Sequence, residues 1–160
     1  RRALDLLRVS GEIADREENP RVGEQHVKMA QAKIEADSMI ECIATLPTQS
    51  KVVLYSMLLL DQMGQTIFTS GEVSRIYKEI APALDLDVLT HRRITDLISE
   101  LNMLGVINTR VVSRGRYGRT KEMWFDIHNQ KIWDVITSDP RLSAHGLAER
   151  DLSWVKTLFR

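Results

Sequence analysis

The sequence has little of what secreted and membrane proteins depend on. It contains one cysteine, Cys42, which excludes a disulfide within the chain and is typical of a reducing compartment. Its longest nearly uninterrupted apolar run, Val52 to Leu60, is too short to span a bilayer, and the amino terminus shows no signal-peptide pattern. We therefore expect a cytoplasmic protein that has no membrane partner.

Patterns of metal and enzyme chemistry are missing as well. The four histidines are scattered without the spacing of metal ligands: His26, His91, His128 and His145. No glycine begins a GxxxxGK[ST] phosphate-binding loop, and no Ser-His-Asp or paired-carboxylate arrangement stands out. These absences predict no metal site, no catalytic residue and no enzyme activity for this chain.

The net charge gives no direct sign of nucleic acid binding. The 22 basic and 22 acidic residues balance, whereas a dedicated DNA-binding domain is usually strongly basic. The charge is nevertheless segregated, because the stretch from Arg110 to Lys121 has five basic residues and no acidic one. Any prediction of nucleic acid binding therefore depends on local clusters of basic residues and not on the net charge.

The apolar periodicity predicts a mainly α-helical protein with one small β-hairpin. Residues 1–46 are predicted to form a small helical unit, whose first helix has Leu4, Leu7 and Ala14 on one side. From Thr48 the order becomes helix, short extended segment, helix, helix, hairpin. This is the order of a winged helix (a helix-turn-helix domain with a β-hairpin), which we place at residues 47–160.

The third helix of that domain has two distinct sides. Its core face is predicted from four apolar residues at helical spacing: Ile94, Leu97, Ile98 and Leu101. The opposite side is predicted to carry Arg92, Thr95, Asp96 and Ser99, flanked by His91 and Arg93, after a capping Thr90. The corresponding helix of a winged helix enters the major groove, where the fork of Arg92, held by Asp96, could read a guanine. The alternative is a solvent-exposed ion pair of little energetic consequence.

The hairpin carries the cationic loop SRGRYGRTK, residues 113–121. Its candidate DNA contacts are Arg114, Arg116, Tyr117, Arg119 and Lys121. The loop has no carboxylate, and Gly115 and Gly118 let its backbone approach DNA closely. Arginines in such a loop suit the narrow, negative minor groove, which favours DNA binding over a loop that is charged only for solubility.

Two segments carry a strong resemblance to a known family. RRALDLLRVSGEIA, at the beginning of the sequence, and LTHRRITDLISELNMLGVINTRVVSRGRYGRTKE, from Leu89 onward, resemble the archaeal replication initiators related to the eukaryotic origin recognition complex and its helicase-loading partner. The resemblance implies a helical AAA+ lid followed by a winged helix, with the ATPase core outside this chain. It implies that Arg1 is a sensor 2 arginine, which contacts ATP or ADP in the parent protein, whereas no nucleotide is expected on this chain alone.

The resemblance also implies a set of partners. These are double-stranded origin DNA, the replicative helicase and other copies of the initiator, in a nucleoid-associated protein. Thr90, His91, Arg92 and Arg93 would approach the major groove, and Arg114, Arg116, Tyr117 and Arg119 would form the minor-groove contact. The leading hypothesis is therefore a DNA-binding region that recognises origins and supports helicase loading. The alternatives are a module that docks a helicase or another initiator through its apolar C-terminal helix, and a winged-helix transcriptional regulator.

Overall fold

A computed structural model describes residues 2–113, 115, 118–125, 130–143 and 153–158. The helices in these ranges are α1 (Arg2–Arg16), α2 (Glu24–Ala44), α3 (Thr48–Gln62), α4 (Ser70–Ala83), α5 (His91–Met103), α6 (Gln130–Thr137), α7 (Pro140–Ser143) and α8 (Ser153–Leu158). The strands are β1 (Phe68–Thr69), β2 (Asn108–Ser113) and β3 (Arg119–Trp124). The predicted fold class, mainly helical with a small hairpin, is confirmed.

The chain divides into two compact units, Arg1–Glu41 and Cys42–Arg160. The first unit contains α1 and most of α2. The buried side of α1 is formed by Val9, Ser10 and Ala14, whereas Leu4 and Leu7 are 70% and 65% exposed. The predicted helix is thus present, and the two leucines that the periodicity places on one side with Ala14 are exposed.

The turn between α1 and α2 is fixed by His26, which is buried. The Nδ1 atom of His26 accepts a hydrogen bond from the Gly23 amide at 2.9 Å, and Nε2 lies 3.1 Å from Oε2 of Glu17. A ring nitrogen that accepts from an amide is unprotonated, so Nε2 carries the proton and donates to the carboxylate. The histidine thus connects the end of α1 with the first turn of α2.

The second unit is built around α3, which is buried at every position from Ser50 to Leu60. A helix that is buried on all sides needs cover from several elements, and α4, α5 and α6 all contact it. The predicted core face of α5 is confirmed, because Ile94, Leu97, Ile98 and Leu101 are all buried. The side of α4 that is buried with it consists of Val73, Ile76, Tyr77 and Ile80. Packing against α3 and α4 thus fixes which side of α5 is exposed.

The three strands form one antiparallel sheet in the order β1-β3-β2. The β2–β3 hairpin has Thr109 opposite Met123, and β1 adds Phe68 on the other side of Met123. Gly105, with a φ of 73°, lets the chain leave α5 toward β2. Ile107 and Met123 are buried, whereas Val111, farther along the hairpin, is 64% exposed.

Candidate nucleic-acid interface

The first turn of α5 is exposed and capped. Thr90 is in an extended conformation, and its Oγ1 accepts a hydrogen bond from the Arg93 amide at 3.3 Å, so the predicted cap is confirmed. The side chains of His91, Arg92 and Arg93 are exposed. Because the first amides of a helix have no partner within it, this end of α5 attracts negative charge.

The two arginines of this turn differ in their contacts. Arg93 Nη1 lies 3.7 Å from Glu100 Oε1, on the exposed side of the helix two turns away. The predicted pair between Arg92 and Asp96 is not among the ion pairs of the described residues. The guanidinium of Arg92 is thus exposed at the start of α5 without an ion pair in that part of the chain.

The hydroxyl groups of α5 hydrogen-bond to the helix itself. Thr95 Oγ1 donates to the His91 carbonyl at 2.9 Å, and Ser99 Oγ donates to the Thr95 carbonyl at 2.8 Å. Both residues were predicted on the side away from the core, but both are half-buried. Their donors are already used, so Thr95 and Ser99 are weaker candidates for reading a base than Arg92.

Lys121 connects the hairpin with α5. It lies in β3 opposite Val111, and its Nζ donates a hydrogen bond to Ser99 Oγ at 2.7 Å. Since directly opposed residues of an antiparallel pair share a face, this face of the hairpin is turned toward α5. The sequence placed Lys121 in the cationic loop, and the structure places its ammonium group against the helix.

Arg110 is held on the opposite face of the hairpin. Its Nη2 and Nε lie 2.8 Å and 3.0 Å from Glu122 Oε2, and its guanidinium carbon is 5.8 Å from the centre of the Trp124 ring. The register explains the pair, because Arg110 stands directly opposite Glu122. Sequence reasoning missed it because the acidic residue follows the basic stretch by one position.

Arg119 begins β3 opposite Ser113, and its side chain is exposed. No ion pair of the described residues includes it. Gly115 and Gly118 have positive φ angles of 59° and 84°, and the Gly118 amide donates to the Gly115 carbonyl at 3.1 Å. The other predicted sites, Arg114, Arg116, Tyr117 and Arg1, lie outside the described residues.

The first unit contains a cavity of about 450 Å³. It is lined by Arg2, Ala3, Leu6, Gln31, Ile34 and Glu35. Within the described parts of the chain, no cluster of His, Cys, Asp and Glu side chains is arranged to hold a metal ion. In the same parts, none of the helices is long and apolar enough to cross a membrane.

Two family models match the chain. The CDC6 C-terminal winged helix domain matches residues 41–135, and the Cdc6 AAA+ ATPase-type lid domain matches residues 1–32. The chain belongs to the Cdc6 winged-helix family. The resemblance seen in the sequence, a lid followed by a winged helix, is confirmed by these two matches.

Proteins similar to this Cdc6-family chain carry consistent names. The ORC1-type DNA replication proteins of Methanoregula boonei and Methanoculleus marisnigri are each 70% identical to it, over 100% of this chain and 38% of the relative. The chain thus spans about two fifths of the length of these relatives. The solved structure of the Aeropyrum pernix ORC1 protein in complex with DNA is 44% identical, with a TM-score of 0.76 over 90% of this chain and 37% of that one.

Proposed function

We propose that this chain binds duplex DNA at replication origins, as the lid and winged-helix part of an initiator. The observation that carries the proposal is the exposed guanidinium of Arg92 at the capped start of α5, without an ion pair among the described residues. The corresponding helix of a winged helix enters the major groove. The similar Aeropyrum pernix ORC1 protein was solved in complex with DNA, which supports the same role here.

In this proposal the start of α5 carries the sequence-reading contact. The planar fork of Arg92 matches the O6 and N7 acceptors of guanine in the major groove. Arg93 and His91 flank it and are placed to approach backbone phosphates, while the free amides at the helix start favour the same anions. Thr90 fixes the direction of this turn through its cap.

The cationic loop supplies the second contact, in the minor groove. Arg119 supports this role because its exposed side chain has no ion pair in the described parts of the chain. Arg114, Arg116 and Tyr117 are proposed contacts from the same loop. Arg110 does not belong to this set, because Glu122 already neutralises its charge.

The whole protein would add functions that this chain carries only in part. We propose that the parent is an AAA+ ATPase, that Arg1 contacts its bound ATP or ADP, and that Arg2 borders the same region of the lid. Helicase loading, contact with other initiator copies and association with the nucleoid are proposed for the parent as well. A parent protein with Arg1→Ala should bind labelled ATP more weakly than one with Lys28→Ala; equal binding would count against this assignment.

Duplex binding is tested by fluorescence anisotropy with a candidate origin repeat and a scrambled duplex, across about 50 to 200 mM salt. We expect log affinity to fall linearly with log salt and the origin duplex to bind more tightly. Arg92→Gln should remove most of that preference, whereas Lys131→Gln, an exposed charge on α6, should retain it. Absence of binding to either duplex, or an Arg92→Gln variant with full preference, would contradict the proposal.

Docking of a helicase through the C-terminal helix has less support. Val155 of α8 is fully buried, and Arg75 Nη1 of α4 donates to the Leu158 carbonyl at 2.8 Å. The described part of α8 therefore packs on its own domain. A transcriptional regulator would usually dimerise, so a strictly monomeric chain would disfavour that alternative.

A further inference from the structure

A hydrogen bond joins the two elements that we propose to contact DNA. Lys121 Nζ, from the central strand β3, donates to Ser99 Oγ of α5 at 2.7 Å. Both residues are half-buried, so this contact is partly shielded from water. A hydrogen bond from a charged donor is stronger than a neutral one, and partial burial strengthens it further.

The Ser99 hydroxyl acts both as a hydrogen-bond acceptor and as a donor. It accepts from Lys121 and donates to the Thr95 carbonyl at 2.8 Å, and Thr95 Oγ1 donates to the His91 carbonyl at 2.9 Å. Hydrogen bonds of Lys121, Ser99 and Thr95 therefore follow one side of α5 from the hairpin contact to the first turn, although the bonds to and from Thr95 involve different groups of that residue. The residues of that turn include Arg92, the proposed base contact.

Among the described cations of the hairpin, Lys121 differs from Arg110 by the face that it occupies and from Arg119 by its contact with α5. Arg110 lies on the opposite face with Glu122, and Arg119 begins β3 two residues before Lys121. Lys121 is opposite Val111, on the face that is turned toward α5. Its ammonium group is thus directed at α5, at Ser99, about two turns after the first turn of the helix.

We infer that Lys121 is a positioning residue for DNA binding. Its hydrogen bond to Ser99 holds the hairpin at a fixed distance from α5, so that the loop and the first turn of α5 meet adjacent grooves of one duplex together. Lys121 contributes to affinity by this alignment and makes no phosphate contact of its own. The inference rests on the proposed function, because alignment matters only if both elements contact DNA.

The test is a double-mutant cycle with Ser99→Ala and Lys121→Met, measured as duplex affinity and as its salt dependence. Ser99→Ala removes the acceptor and leaves the lysine charge in place. Each single variant is expected to weaken binding by about three- to tenfold. The double variant should bind no more weakly than the weaker single variant, because both changes remove the same contact.

A matched control separates alignment from a general loss of stability. Asp139→Asn breaks a different contact that is shielded from water, the ion pair with Lys51, which involves no residue of α5 or of the hairpin. It should lower the melting temperature and leave duplex affinity unchanged. If Asp139→Asn weakened binding as much as Ser99→Ala does, reduced stability would explain the effect and the inference would be wrong.

Two further outcomes would overturn the inference alone, and a third would also contradict the proposed function. If Ser99→Ala bound normally while Lys121→Met reduced the slope of log affinity against log salt by about 0.9, Lys121 would be a phosphate contact and the inference would be overturned. Additive effects of the two changes would overturn it too. If the unmodified chain bound no duplex, the proposed function would fail together with this inference, before any variant is made.

Discussion

Lys51 and Asp139 form an ion pair that connects the central helix α3 with the start of α7. Lys51 Nζ lies 2.6 Å from Asp139 Oδ2, and the two side chains are only 9% and 14% exposed. Asp139 Oδ1 also accepts a hydrogen bond from the Arg141 amide at 3.0 Å. One carboxylate thus caps α7 and satisfies the ammonium group of a lysine that lies in the most buried helix of the domain.

Asp139→Asn should therefore destabilise the second unit. The change leaves the Lys51 ammonium half-satisfied in a buried position, at an expected cost of about 2 kcal/mol. For a domain of this size, that corresponds to a melting temperature lower by about 5 to 10 °C. Thermal unfolding followed by circular dichroism at pH 7 measures it, and an unchanged melting temperature would show that water satisfies Lys51 equally well.

The same pair predicts how stability depends on pH. Burial by itself raises the pKa of Asp139, but the hydrogen bonds from Lys51 and Arg141 and the Lys51 charge outweigh burial and lower the pKa below its ordinary value. A carboxyl group with a lowered folded-state pKa stabilises the fold above its unfolded pKa of about 3.9, and loses that contribution as pH falls further. The difference in unfolding free energy between the unmodified protein and Asp139→Asn should be constant from pH 7 to about pH 5 and shrink below pH 4.

Arg92→Lys should separate base reading from charge. Lysine keeps the positive charge but lacks the planar fork that binds two acceptors of guanine. We expect an unchanged salt slope and a preference for origin duplex over scrambled duplex that falls by about 5- to 100-fold. Arg93→Lys is the control, since the guanidinium of Arg93 already lies near Glu100. Anisotropy titrations of both variants with the two duplexes measure the preference. An equal loss of preference in the two variants would mean that base reading is not specific to Arg92.

Arg119→Gln should weaken binding to every duplex by a similar factor. Because Arg119 is exposed without an ion pair among the described residues, its loss removes one phosphate neutralisation and lowers the salt slope by about 0.9. Arg110→Gln should leave the slope unchanged, because the charge of Arg110 is already paired with Glu122. A salt series on the scrambled duplex gives both slopes. An effect of Arg110→Gln as large as that of Arg119→Gln would mean that the pair with Glu122 opens on DNA.

Thr90→Ala should weaken both the fold and DNA binding. The change removes the hydroxyl that caps α5, at a typical cost of about 1 kcal/mol, and releases the turn that carries Arg92. Thr90→Ser keeps the hydroxyl and should restore both the melting temperature and duplex affinity. If serine restored stability but not affinity, the methyl group of Thr90 would itself contact the DNA.

The core of the second unit could be predicted from the sequence, because its helices follow a simple rule. Four apolar residues at helical spacing identify the buried face of α5, and all four are buried. The sequence also predicts Thr90 as a cap, because the hydroxyl of such a residue accepts a hydrogen bond from an amide in the helical turn that follows it. Such features depend on residues within one or two helical turns, so local spacing is sufficient to find them.

Contacts between elements were harder to predict. The pair of Arg110 and Glu122 depends on the hairpin register, and the bond from Lys121 to Ser99 depends on how the hairpin packs against α5. Periodicity places Leu4, Leu7 and Ala14 on one side of α1, but only Ala14 of the three is buried. An apolar stripe indicates which residues share a side of a helix, but not which of those positions its neighbours cover.

The strand order divides the hairpin into a three-stranded base and a two-stranded outer part. Near Glu122 and Met123, β3 is paired on both sides, because β1 adds two residue pairs there. Toward Arg119 and Ser113 only β2 and β3 remain, and two-stranded ribbons twist more than wider sheets do. The base of the hairpin is therefore held on both sides, whereas its outer part is a two-stranded ribbon that can take a stronger twist, and the direction of the Arg119 side chain depends on that twist.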